Sequence, residues 1–97
     1  MIERDEILGS LRAALPHLKQ RWSIRSLGVF GSFARGDAAA DSDVDVLVEF
    51  EHPVGLSVFL GLESELYSLV GRRVDLVSRA ALKPYMGREV MRDLVRL

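Results

Sequence analysis

The chain is 97 residues long, 48% hydrophobic and 28% charged, with a formal net charge of −1. That balance predicts one small folded domain over residues 1–97 and excludes a disordered, low-complexity polymer. The absence of cysteine excludes thiolate catalysis and thiolate zinc sites and fits a cytoplasmic setting, while near-neutral charge offers nucleic acid no bulk attraction.

Ile2, Ile7, Leu8, Leu11, Leu15, Leu18 and Trp22 recur at helical spacing, so residues 3–21 read as helix. Pro16 removes a backbone donor and crowds the carbonyl four residues back, which predicts a helix to about Ala14 and a new turn near Pro16. Residues 24–30 form a first strand that stops at Gly31. In residues 43–50, Val44, Val46, Val48 and Phe50 take one face, and Asp43, Asp45, Leu47 and Glu49 the other. Pro53 and Gly55 close that strand.

The next helix carries Leu56, Phe59, Leu60, Glu63, Leu66, Tyr67 and Val70 as its stripe and ends at Gly71. Residues 73–77 make a third strand. Ser78 is placed to cap the turn after it, and Pro84 suits the first turn of a last helix over about 84–95. The order predicts an α/β (α+β) two-layer sandwich with a small mixed sheet and flanking helices. The longest uncharged apolar stretch, His52 to Leu62, is too short to span a bilayer. The charged N-terminus predicts no secretory leader.

Charge is unevenly spread. Residues 37–51 contain six acids and no Lys or Arg, whereas residues 72–97 contain seven basic residues against three acidic ones. Two of those acids, Asp43 and Asp45, sit two apart in the best strand, where Asp is disfavoured. That spacing puts both carboxylates on one face, roughly 6 to 7 Å apart at the backbone. Two like charges so close raise each other's pKa unless a cation sits between them, and oxygen ligands suit a hard ion such as Mg²⁺. A simple solvent-facing side of an antiparallel sheet explains the pair as well.

Asp75 adds a third strand carboxylate, which a two-metal phosphoryl-transfer site requires; a salt bridge to Arg72 or Arg73 is the other explanation. Gly31-Ser32 ends the first strand. Gly31 permits a sharp turn, Ser32 can cap the next one, and free N–H groups there suit a phosphate.

Gly31-Ser32, ten intervening residues and Asp43-Val44-Asp45 resemble the Gly-Ser…Asp-x-Asp signature of the nucleotidyltransferase superfamily related to DNA polymerase beta. The longer strings, Gly-Ser-Phe-Ala-Arg-Gly and Asp-Ser-Asp-Val-Asp-Val-Leu-Val-Glu-Phe, are similar to its minimal nucleotidyltransferase (MNT) branch over nearly the whole chain. The resemblance implies the nucleotidyltransferase fold, with Gly31 and Ser32 holding the triphosphate of ATP. It implies Asp43, Asp45 and Asp75 as the catalytic set binding two Mg²⁺ ions, Asp75 also helping to activate the attacking hydroxyl. It implies an antitoxin that transfers AMP to a tyrosine of a partner HEPN-domain ribonuclease toxin, in a hetero-oligomer. The alternatives are an antitoxin that masks its toxin by binding alone, and transfer to a small molecule such as an antibiotic.

The remaining residues read as structure. Arg35 is expected to pair with a nearby acid, and His17 and His52 to lie at the surface or at helix ends. Trp22, Phe30, Phe59, Tyr67 and Tyr85 read as core. Arg88, Arg92 and Arg96 fall four apart as one basic ridge on the last helix, a solvated face or a docking surface.

Overall fold

The structure is a computed structural model and describes residues 2–97 apart from the side chain of Ile2, so that residue's place in the first stripe lies outside the described residues. Eight main elements run in order: α1 (Ile2–Trp22), β1 (Ile24–Phe30), α2 (Gly31–Arg35), β2 (Val44–Phe50), α3 (Leu56–Val70), β3 (Val74–Ser78), α4 (Pro84–Asp93) and β4 (Val95–Arg96), with a 3-10 turn at Arg79–Ala81.

Hydrogen bonding orders the strands β3-β2-β1-β4. β1 runs antiparallel to both β2 and β4, while β2 and β3 run parallel. The parallel pair needs a crossover, and α3 supplies it. Val44, Val46 and Val48 of β2 are fully buried against Leu11 and Leu18 of α1 and Leu62 and Leu66 of α3, which together form the main core. The alternation read from the sequence therefore holds. On the opposite face Leu47 is also buried, under the thinner cover supplied by the 3-10 turn and the C-terminal segment.

Several expectations need correction. Pro16 sits inside one continuous helix. Its missing N–H would have served the carbonyl of Arg12, on an exposed side where water can replace it, and the unbroken helix keeps Leu11 and Leu18 on one buried side. Neither Ser32 nor Ser78 caps through its side chain: Phe30 holds the cap position before α2, and no side-chain bond is made at either end. The last helix stops at Asp93, so Arg96 lies in β4 and the expected three-arginine ridge does not exist. Two residues of strand pairing leave no alternation to read.

The stripe of α3 is also displaced. Leu62 and Leu66 are buried and Phe59 and Val70 pack beside them, but Leu56, Leu60 and Tyr67 are 71%, 49% and 53% exposed. Tyr85 is likewise exposed, not core. The helix is apolar on more than one side, and periodicity alone does not say which side meets the sheet.

Candidate functional site

Strand register brings Asp45, Asp75 and Gly31 together. Asp45 lies directly beside Asp75 in the parallel ladder, flanked by Val44 beside Val74 and Val46 beside Leu76. On its other side Asp45 faces Phe30, the last residue of β1, so Gly31 begins next to the same carboxylate. Gly31 has φ +73, and a Cβ built there would collide with the Asp45 carboxylate. Two constraints thus demand glycine at one position: a left-handed backbone and the close approach of a charged side chain. Ser32 comes next, inside the first turn of α2, where its carbonyl accepts from the N–H groups of Gly36 and Asp37 at 2.9 and 3.0 Å.

Asp43 stands just ahead of β2. Its Oδ1 accepts from Arg73 Nε at 3.2 Å, and the adjoining backbone is fixed by a 2.9 Å bond from the Val44 N–H to the Arg73 carbonyl. Asp75 makes no ion pair among the described residues. Arg72, one of its two expected partners, is drawn instead to Glu3 at 2.7 and 2.8 Å and to the Ala40 carbonyl at 2.6 Å, with its guanidinium over the Phe33 ring. Arg73, the other, serves Asp43. Arg35 pairs with Asp37 at 3.2 Å and Asp93 at 2.9 Å, as its expected structural role requires.

The acids are electrostatically coupled. Partial burial raises the Asp45 carboxyl above its ordinary pKa, and the charges of Asp75 and then Asp43 raise it further, against the pull of Arg35. No three His, Cys, Asp or Glu side chains among the described residues close into a ready-made metal cage; Asp43 is engaged by Arg73. The donors are nevertheless all carboxylate oxygens, and the charges of Asp75 and Asp43 bear on Asp45, which is the chemistry a hard divalent cation relieves.

Two hollows open on these acids. One, of about 490 Å³, lies under α4 and is lined by Gly31, Arg35, Asp45, Asp75 and Tyr85. The other, of about 550 Å³, lies beside α3 and is lined by Asp43, Leu60, Tyr67, Arg73 and Asp75. A third hollow, about 770 Å³, sits at the far end of β2 around Glu51 and His52 and touches none of the predicted site residues. His17 approaches Glu65 at 3.7 Å on the surface, also away from the acids. Sequence reasoning missed Arg73 as the partner of Asp43; only the parallel register places the start of β3 beside the start of β2.

Known proteins resemble this chain in sequence and fold. A family model described as a nucleotidyltransferase domain matches residues 11–97. The protein adenylyltransferase MntA of Thermococcus cleftensis is 44% identical over 95 residues, covering 98% of this chain and 96% of that protein. A solved structure assigned as a minimal nucleotidyltransferase superposes with TM-score 0.80 at 40% identity, over 93% of this chain and 92% of the other. A complex of tri-AMPylated Shewanella oneidensis HEPN toxin with MNT antitoxin gives TM-score 0.61 at 19% identity, over 98% of this chain and 68% of the matched one, a likeness of fold alone.

Proposed function

This chain belongs to the nucleotidyltransferase domain family, and from that premise we propose a cytoplasmic protein adenylyltransferase that acts as the antitoxin of a HEPN-domain toxin, moving AMP from ATP to a tyrosine hydroxyl of that partner. The observation that carries the reading is the in-register pair Asp45 and Asp75, uncompensated by any ion pair among the described residues and set against Gly31.

In this reading Gly31, which lines the hollow under α4, and Ser32, next to it in the turn after β1, hold the triphosphate. Asp43, Asp45 and Asp75 are the residues that would hold two Mg²⁺ ions. Bound there, the cations would offset charge on the phosphates and acidify the acceptor hydroxyl. In the same reading Asp75 takes the acceptor proton as the hydroxyl oxygen attacks the α-phosphorus, a role supported by its exposure and its position on the second hollow. The bond from the α-phosphorus to the bridging oxygen breaks, and pyrophosphate leaves in line.

The test uses the purified pair with α-labelled ATP and Mg²⁺. Label is expected on the HEPN protein, and an unlabelled partner would sink the protein-acceptor reading. Replacing Asp43 and Asp45 together by Asn separates catalysis from masking. A transferase so altered should lose labelling by at least about a thousandfold and no longer neutralise the toxin; an antitoxin that works by binding alone would still protect.

A further inference from the structure

The two hollows on the acidic centre share a single residue, Asp75. Gly31 and Asp45 line the one under α4; Asp43 and Arg73 line the one beside α3. A group-transfer site needs two substrates that approach from different sides and meet at the reacting atoms. With the nucleotide under α4, the α3 side is left for the acceptor.

That side has an unusual wall. Leu56, Leu60, Glu63 and Tyr67 fall on one stripe of α3, within roughly 60° at about 100° per residue. Leu56, Leu60 and Tyr67 are the three large exposed hydrophobics of that helix, and Leu60, Glu63 and Tyr67 also line the hollow that holds Asp43 and Asp75. The apolar ridge and the acidic centre are therefore one continuous surface. Its charge is unbalanced: Asp43, Glu63 and Asp75 stand against Arg73 alone.

Resting on the transferase reading, we propose that this ridge of α3 is the docking surface for the acceptor protein, and that it selects a segment bearing apolar side chains and a Lys or Arg beside the acceptor hydroxyl. Apolar side chains of the segment lie along Leu56, Leu60 and Tyr67, and its basic group faces Glu63 and Asp75. A second copy of this chain does not fit. A two-fold contact would bring the same patch against itself, setting acids against acids and closing the hollow over Asp75.

The experiment uses the full chain with a purified HEPN-domain toxin as the acceptor protein, and titrates complex formation by calorimetry. Leu60→Asp with Tyr67→Ser should weaken the complex by at least about thirtyfold. Glu63→Lys should weaken it severalfold and flatten its salt dependence. Tyr67→Ser alone, which adds no charge beside Asp43 and Asp75, should keep affinity for Mg²⁺ and AMP-PNP within about twofold. All three positions face outward, and a far-ultraviolet spectrum with a thermal melt checks each variant's fold; Leu56→Asp gives a fourth, independent position on the same ridge. Wild-type affinity in all these variants overturns the docking surface while leaving the transferase reading standing. A change confined to self-association of this chain also overturns it, in favour of a homodimer contact. Failure of the unaltered chain both to bind and to label the HEPN protein strikes the transferase–antitoxin reading itself.

Discussion

Asp45 occupies a position that a sequence selected for stability alone would not give to an acid. It is half-buried between Phe30 and Asp75, against a glycine that has no side chain because the carboxylate fills that space. Its folded pKa is raised first by burial and then by Asp75 and Asp43. The native state therefore binds more protons than the unfolded one between the ordinary and the raised value. Stability contributed by this group falls as pH rises through that window, and it stays lost above it. Asp45→Asn removes the penalty. In the absence of divalent cations the variant is expected to be more stable than the parent at neutral pH, with the difference shrinking to nothing as pH falls below the ordinary carboxylate value. Urea unfolding across that pH range checks this, and an Asn variant less stable at neutral pH would contradict it. Addition of Mg²⁺ should raise the parent's melting temperature more than the variant's, narrowing the gap.

The elements show where burial decides what pattern cannot. In α3, Gly61 approaches the Trp22 ring so closely that a Cβ would lie 2.6 Å from it. Trp22 cannot easily yield, because its Nε1 donates to Glu65 at 2.9 Å and Arg21 lies over its ring. Gly61→Ala gains about 1 kcal/mol of helix propensity but overpacks this contact at a cost of roughly 1–3 kcal/mol. Net destabilisation is expected. Gly87, inside α4, has nothing within 4 Å of its added Cβ, so Gly87→Ala should stabilise by about 0.5–1 kcal/mol. Chemical denaturation of the two variants measures both signs. The same elements mark the limits of what the chain discloses on reading. β2 was legible because Val44, Val46 and Val48 alternate with a face that carries Asp43, Asp45 and Glu49 beside Leu47, and the three carboxylates stood out because Asp is costly in a strand. The face of α3 was not, since Leu60 and Leu66 are equally apolar and only the sheet's position tells them apart. Nor was the Arg73–Asp43 pair, which exists through a register between strands thirty residues apart.

Across the whole molecule, the acidic run at 37–51 is neutralised in part, by one near neighbour and two distant partners. Arg35 takes Asp37, Arg73 takes Asp43, and Arg25 takes Glu51. Asp41, Asp45 and Glu49 of the run make no ion pair among the described residues, and of these Asp45 alone stands in register with a second carboxylate, Asp75, near the start of the edge strand β3, where a charge also discourages pairing with another chain. The opposite edge is protected differently. Without β4, β1 would be the outer strand, and it carries Ile24, Leu27 and Val29. β4 covers it through Val95 beside Val29 and Arg96 beside Gly28, and the Leu97 N–H donates to the Leu27 carbonyl at 3.0 Å. Leu94 packs where a side chain on Gly28 would otherwise stand. Deleting residues 94–97 removes this cover together with the partly buried Val95 and Leu97. The loss should be at least about 2 kcal/mol, and the bared edge should pair with copies of itself. Light scattering over a concentration series would then show growing oligomers for the shortened chain, whereas Arg96→Glu, which keeps the backbone pairing, should remain at the parent's size. If the shortened chain scatters like the parent at every concentration, β4 is not what shields the edge.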